Sequence, residues 1–219
     1  MSPNNLLVIF DCDGVLVDTE GITASVSAEI LTELGWPRTP DEILHEFMGC
    51  TEEYWASRVL EMTGRQVDAA WTAEFEHRYE MSMTRGLTSV PGVEEALSSI
   101  TATTCVASNG PHDKIRRNLD RTGLLPLFEG RIFSAQDVAE GKPSPQLFLH
   151  AARSLGFPPN RCLVVEDSPH GVTAAVRAGM TCVAYVSGLL PASRLKADDV
   201  TLIHDLRDLP PIVSQMLHP

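Results

Sequence analysis

The chain is 219 residues long, 43% hydrophobic and 21% charged, with a formal net charge of -12. A chain of this size and composition can bury a substantial globular core. The negative balance argues against nucleic-acid backbones and anionic membranes as partners, since a polyanion is repelled. A small phosphate ester stays possible, because one site can be locally positive.

The first predicted element is Leu6-Leu7-Val8-Ile9-Phe10, which has the length and β-branched content of a buried strand. It is too short for a membrane span or a secretory signal. Asp11-Cys12-Asp13 follows directly, and Gly14 closes a tight turn. Two carboxylates one residue apart, at the end of such a strand, sit where open parallel sheets keep their chemistry. They repel each other unless a cation or shared protons intervene, which points to a metal site with a nucleophile. Cys12 stands between them, but no evident positive neighbour lowers its pKa, so it reads as a packing residue.

From about Thr19 to Leu87 the pattern is helical throughout. Ile22, Val26, Ile30 and Leu34 recur at four-residue steps, as do Trp71, Phe75 and Tyr79. A helical insert starting directly after the acidic turn is expected to act as a lid. Its turn Met48-Gly49-Cys50-Thr51 is the best candidate for a specificity loop, with Thr51 and Glu20 as candidate substrate contacts. The arginines Arg38, Arg58, Arg65, Arg78 and Arg85 read as helix-surface charges.

Val90-Pro91-Gly92 marks the return to strand–helix alternation. Strands are expected at Thr103–Ala107, Arg131–Phe133, Cys162–Val165, Thr181–Tyr185 and Val200–Ile203. Ser144-Pro145 and Ser168-Pro169 each offer an N-cap serine with proline at the first helical position. Gly156 and Gly179 stand where a left-handed helix end is wanted. Leu147, Phe148, Ala151 and Leu155 form one apolar stripe, and Val172, Ala175 and Val176 another. The result is an α/β fold, a parallel sheet with helices on both faces, interrupted after its first strand by a small all-helical domain. The expected boundaries are 1–16 with 89–219 for the α/β part and 17–88 for the insert. The five cysteines, odd in number and without CxxC spacing, fit reduced thiols in the cytoplasm.

Four polar features fall on one rim of this sheet: Asp11-x-Asp13, Ser108-Asn109-Gly110, Gly141-Lys142-Pro143 and Glu166-Asp167-Ser168. Each alone is a common turn or helix start. Together, in this order at strand ends, they fit phosphoryl transfer. Asp11 can attack phosphorus and form an aspartyl-phosphate. Asp13 can protonate the leaving oxygen and then deprotonate the attacking water. Mg²⁺ wants hard oxygens, which the Asp11 and Asp167 carboxylates and the Asp13 carbonyl can offer, with Glu166 beside or behind. The Ser108 hydroxyl and an amide from Asn109 or Gly110 can hold phosphoryl oxygens, and Lys142 offsets the negative charge.

These motifs, with Asp11-Cys12-Asp13-Gly14-Val15-Leu16-Val17-Asp18-Thr19-Glu20 at their head and Gly171, Ala174, Ala175, Ala178 and Gly179 in the last helix pattern, resemble the haloacid dehalogenase superfamily over essentially the whole chain. The likeness is to its phosphatase branch with a helical cap on a Rossmann-like core. Ser108-Asn109-Gly110-Pro111 is particularly similar to the 6-phosphogluconate phosphatase-like members. The resemblance implies Asp11 as nucleophile, Asp13 as acid/base, Ser108 and Lys142 as phosphate holders, and Asp167 as metal ligand assisted by Glu166. It further implies a Mg²⁺-dependent phosphatase for a small phosphorylated metabolite of the sugar phosphate, phosphogluconate or phosphoglycolate class.

Neighbouring chemistries are tested by what the chain lacks. True dehalogenases need no second aspartate, and Asp13 is present. Phosphonoacetaldehyde hydrolases need an insert lysine, but the lysines here are Lys114, Lys142 and Lys196. A β-phosphoglucomutase-type mutase needs an arginine near Gly49-Cys50-Thr51, where Glu52 stands, and a histidine where Thr23 stands. A non-catalytic phospho-receiver needs neither Asp13 nor an insert.

Overall fold

The computed structural model describes residues 6–47, 52–189 and 191–217. The chain divides into two compact units, one made of Met1–Val17 with Thr88–Pro219 and the other of Asp18–Leu87.

The first unit is built on six parallel strands: β1 (Leu7–Phe10), β2 (Thr103–Ser108), β3 (Ile132–Ser134), β4 (Cys162–Glu166), β5 (Thr181–Tyr185) and β6 (Val200–Ile203). Their order across the sheet is β3-β2-β1-β4-β5-β6. β1 is central, with Ile9 in register with Cys105 on one side and Val164 on the other. All four β1 residues are buried, as a strand covered on both faces requires.

Alternation along the strand sends Leu7 and Ile9 to one face. There they join Cys105, Ala107, Cys162 and Val164, together with residues of two helices, Gln146–Leu155 and Pro169–Arg177. Phe10 faces the other way and meets Phe128 edge to face, ring centres 6.2 Å apart. Cys105, Cys162 and Cys182 are buried thiols whose pKa burial raises, so they act as small hydrophobes.

Among the described residues the α-helices are α1 (Glu20–Glu33), α2 (Pro40–Phe47), α3 (Glu52–Thr63), α4 (Ala69–Gly86), α5 (Val93–Ser99), α6 (His112–Arg121), α7 (Leu125–Phe128), α8 (Gln146–Leu155), α9 (Pro169–Arg177) and α10 (Leu209–Leu217). Ser168 caps α9 as its sequence suggests, accepting from the Gly171 N–H at 3.0 Å, with Pro169 first in the helix. Ser144 does not cap α8. Pro145 takes the cap position and the helix begins one residue later, at Gln146, whose N–H donates to Ser144 Oγ at 3.4 Å. Val176 also departs from expectation and is exposed. The buried side of α9 centres on the small residues Gly171, Ala174 and Ala175 with Val172, and Val176 falls off its edge.

In the inserted unit, α1 packs against α2 and α4 around Ala24, Ala28, Leu31, Trp36, Ile43 and Val59. Asp68 caps α4 by accepting from the Trp71 N–H at 2.9 Å. The four-residue aromatic step along α4 becomes a ladder, with Trp71–Phe75 and Phe75–Tyr79 stacked at 5.8 and 6.0 Å. Arg38 and Arg58 both pair with Glu46 and lie over the Trp36 ring.

The insert leaves and rejoins the first unit at one point. Val17 pairs antiparallel with Ser89, and the Val90 N–H donates to the Leu16 carbonyl at 3.1 Å. Among the described residues no helix is long and apolar enough to cross a membrane.

Candidate active site

The chain passes from β1 to β2 on one side of the sheet and from β4 to β5 on the other, so a crevice opens at the carboxyl ends of the neighbouring strands β1 and β4. Asp11 follows β1, and its N–H still donates to the Val165 carbonyl of β4 at 2.9 Å. Ser108 ends β2, and Glu166 ends β4. Lys142 enters from the segment between β3 and α8.

Lys142 is the hub of the buried polar cluster. Its Nζ donates to Asp11 Oδ1 and, at 2.7 Å, to Glu166 Oε1. Asp11 and Lys142 are each 8% exposed and Glu166 is 0% exposed. Burial works against the lysine's charge, but the two carboxylates outweigh it and raise its pKa above the ordinary value. Burial pushes the Asp11 carboxyl up to about 7, with Lys142 pulling it down and Glu166 adding to the rise.

Glu166 is fully engaged by the protein. Its Oε2 accepts from the N–H groups of Asp167 and Ser168 and from the Ser168 hydroxyl, all at 2.9 Å. Gly171 permits this, because a Cβ there would fall on the Glu166 carboxylate. Gly14 does the same for Asp167. Its φ is +82°, and a side chain would land on the Asp167 carboxylate.

Asp11, Glu166 and Asp167 each offer a carboxylate oxygen, and these atoms lie within 4.8 Å of one another. One buried ammonium does not balance three carboxylates, and a set of hard oxygens is the donor chemistry that Mg²⁺ takes. The residues therefore fit a divalent cation. Glu166 is the member already most engaged by protein donors. The Asp13 carboxylate is outside this cluster and is held from α6, where Lys114 Nζ donates to its Oδ2 at 2.9 Å and Asn118 Nδ2 to its Oδ1 at 3.4 Å.

The motif after β2 also organises the protein around the site. The Asn109 side chain grips the backbone of Lys142, donating to its carbonyl at 3.1 Å and accepting from its N–H at 2.9 Å. The Gly110 N–H donates to Ser108 Oγ at 3.1 Å, and the Gly110 carbonyl accepts from Ser134 Oγ at 2.6 Å. The Asn109 side-chain amide and the Gly110 N–H thus have partners within the protein. Asn109 places the lysine, and Ser108 keeps a buried hydroxyl at the strand end. Glu20 opens α1 in the other unit. Thr51 and its turn lie outside the described residues.

Lys114 and Asn118 were not singled out in the sequence. Lys114 stands more than a hundred residues from Asp13 and reads as a solvated helix charge. One local sign was available: a cation in the first turn of a helix opposes the helix dipole and needs an anionic partner elsewhere.

Comparison with known proteins places the chain in a family. The model of the haloacid dehalogenase-like hydrolase family matches residues 6–179. The Escherichia coli 6-phosphogluconate phosphatase is 33% identical over 175 residues, which is 79% of each chain. A conserved haloacid dehalogenase-like protein of unknown function from Agrobacterium tumefaciens superposes with a TM-score of 0.85 at 36% identity, covering 96% of this chain and 98% of that one. A haloacid dehalogenase family hydrolase from Deinococcus radiodurans, solved with bound phosphate and sodium, gives 0.81 at 29% identity over 99% and 97% of the two chains. Motifs, sheet order and relatives converge, and the chain belongs to the haloacid dehalogenase-like hydrolase family.

Proposed function

We propose that this hydrolase is a Mg²⁺-dependent phosphatase acting on a small phosphorylated metabolite of the sugar phosphate class, through a phosphoenzyme formed on Asp11. One observation carries the reading. Two carboxylates one residue apart are held by separate cations, Asp11 by Lys142 and Asp13 by Lys114. The pair is thereby divided into two roles, as a two-step displacement requires.

Asp11 is the nucleophile, buried and oriented by the Lys142 ammonium. Asp13 gives a proton to the leaving oxygen and later takes one from the water that attacks the phosphoenzyme. Lys142 stabilises charge at the phosphoryl group, and the Ser108 hydroxyl is in place to donate to one of its oxygens. Asp11 and Asp167, with the Asp13 carbonyl, are the residues that would hold Mg²⁺, and Glu166 supports Lys142 and the Asp167 backbone from behind. Bound there, the cation neutralises charge on the phosphoryl oxygens. The substrate class follows from the relatives, of which the Escherichia coli protein acts on 6-phosphogluconate.

The test is turnover of p-nitrophenyl phosphate and of a panel of phosphorylated metabolites, with Mg²⁺ and with chelator, for wild type and Asp11→Asn. Activity that depends on Mg²⁺ and falls at least about a thousandfold in Asp11→Asn is expected. An Asp11→Asn enzyme within about tenfold of wild type would remove the covalent route.

A further inference from the structure

We propose that Lys114 is a positioning residue that sets the orientation of the Asp13 carboxylate, acting with Asn118 from the same face of α6. This inference rests on the reading of Asp13 as the acid and base of the reaction.

Lys114 and Asn118 lie one helical turn apart, so their side chains point the same way. Each takes a different oxygen of Asp13, Lys114 the Oδ2 at 2.9 Å and Asn118 the Oδ1 at 3.4 Å. A carboxylate held at one oxygen can still rotate about its Cβ–Cγ bond. The close Lys114 bond sets one oxygen, and the longer Asn118 contact at the other limits that rotation.

The support is rigid. Ile115, Asn118 and Leu119 are the buried residues of α6, and Asn118 is 1% exposed. A polar side chain on an otherwise apolar buried face needs a partner, and Asp13 supplies one. Lys114 itself is half-buried, in the helix's first turn, where its charge works against the helix dipole. Its contact with Asp13 offsets that cost.

The two lysines near the strand ends have separate partners. Lys142 donates to Asp11 and Glu166, and Lys114 donates to Asp13. Asp13 must aim at the leaving oxygen in one half-reaction and at water in the other, and a displacement of an ångström in such a group lowers rates steeply.

The experiment is a leaving-group series measured in the full-length protein with Mg²⁺. Substituted phenyl phosphates from phenyl to p-nitrophenyl are hydrolysed by wild type, Lys114→Met, Lys114→Arg, Asp13→Asn and the Lys114→Met/Asp13→Asn double variant. The quantity read is kcat/KM, which reports formation of the phosphoenzyme and so the need for an acid. Nitrophenolate leaves without one, and phenolate does not.

Lys114→Met is expected to lose at least about tenfold on phenyl phosphate and less than about threefold on p-nitrophenyl phosphate. Lys114→Arg, which keeps a donor, should recover part of the loss. The double variant should be no slower than Asp13→Asn, since Lys114 acts through Asp13. An equal loss on every ester, with weaker inhibition by inorganic phosphate, would assign Lys114 to the phosphoryl group and overturn the proposal. So would additive losses in the double variant, or no loss in either Lys114 variant. Wild-type rates in Asp13→Asn across the series would instead overturn the acid/base reading on which it rests.

Discussion

Replacing Lys142 with methionine should destabilise the protein by more than any surface change could. The ammonium is buried between Asp11 and Glu166, and Glu166 has no solvent exposure at all. Methionine fills most of the volume, so the effect isolates the charge. Removing one partner of a buried ion pair costs about 3–5 kcal/mol, because the other is left without compensation. In a domain of this size each kcal/mol lowers Tm by about 2–4 °C, which gives a fall of about 6–20 °C. The melt is run in chelator, since a bound divalent cation would replace part of the missing charge. A second variant, Lys142→Met with Glu166→Gln, removes the stranded carboxylate while leaving an acceptor for the Asp167 and Ser168 N–H groups. It should regain a measurable part of the loss. A Lys142→Met protein melting within about 2 °C of wild type, with the double variant no more stable, would refute the claim that this lysine neutralises a buried acidic cluster.

Gly171→Ala places a methyl group on the Glu166 carboxylate and should cost about 1–3 kcal/mol in urea unfolding; an unchanged midpoint would mean that α9 can move away freely. Asn109→Ala removes both hydrogen bonds to the Lys142 backbone and should cost about 1–3 kcal/mol, with a fall in kcat larger than the rise in KM. Equal changes in the two constants would speak for a substrate contact instead. Cys12 is buried between the two aspartates, and burial first, then the charges of Asp13 and Asp11, raise its thiol pKa well above the ordinary value. It should resist iodoacetamide in the native state even at pH 9, and Cys12→Ala should keep near wild-type turnover. Rapid native-state labelling with loss of activity would make Cys12 part of the chemistry.

The acidic and serine motifs were legible because each sits at a strand end, and the lysine motif because it directly precedes a helix start. Strands such as Leu7–Phe10 and Cys162–Val165 announce themselves by continuous apolar, β-branched runs. What lay within one helix turn of those ends was much less readable. Asn109 in a Ser-Asn-Gly turn has an amide that can face a ligand or the protein, and only the nearness of Lys142 decides which. α8 starts one residue later than the Ser-Pro pair suggests, because the turn Gly141–Ser144 precedes it and Pro145 takes the cap position. Val176 was placed inside because valine is apolar, whereas α9 approaches the sheet through glycine and alanine and leaves its larger side chain outward. The Lys114–Asp13 contact was hidden for a different reason. It depends on sheet order, which brings α6 beside the turn after β1, and no spacing in the chain records that.

The stitch between Val17 and Ser89 bears on how this architecture tolerates change. Because the outgoing and returning backbone are tied by their own hydrogen bonds, the excursion Asp18–Leu87 is closed before it begins. The entropy of looping out a longer or shorter segment grows only slowly with its length, and here the join that fixes it belongs to the sheet-bearing unit. A chain so arranged can exchange its detour wholesale while the two carboxylates at the end of β1 keep their positions.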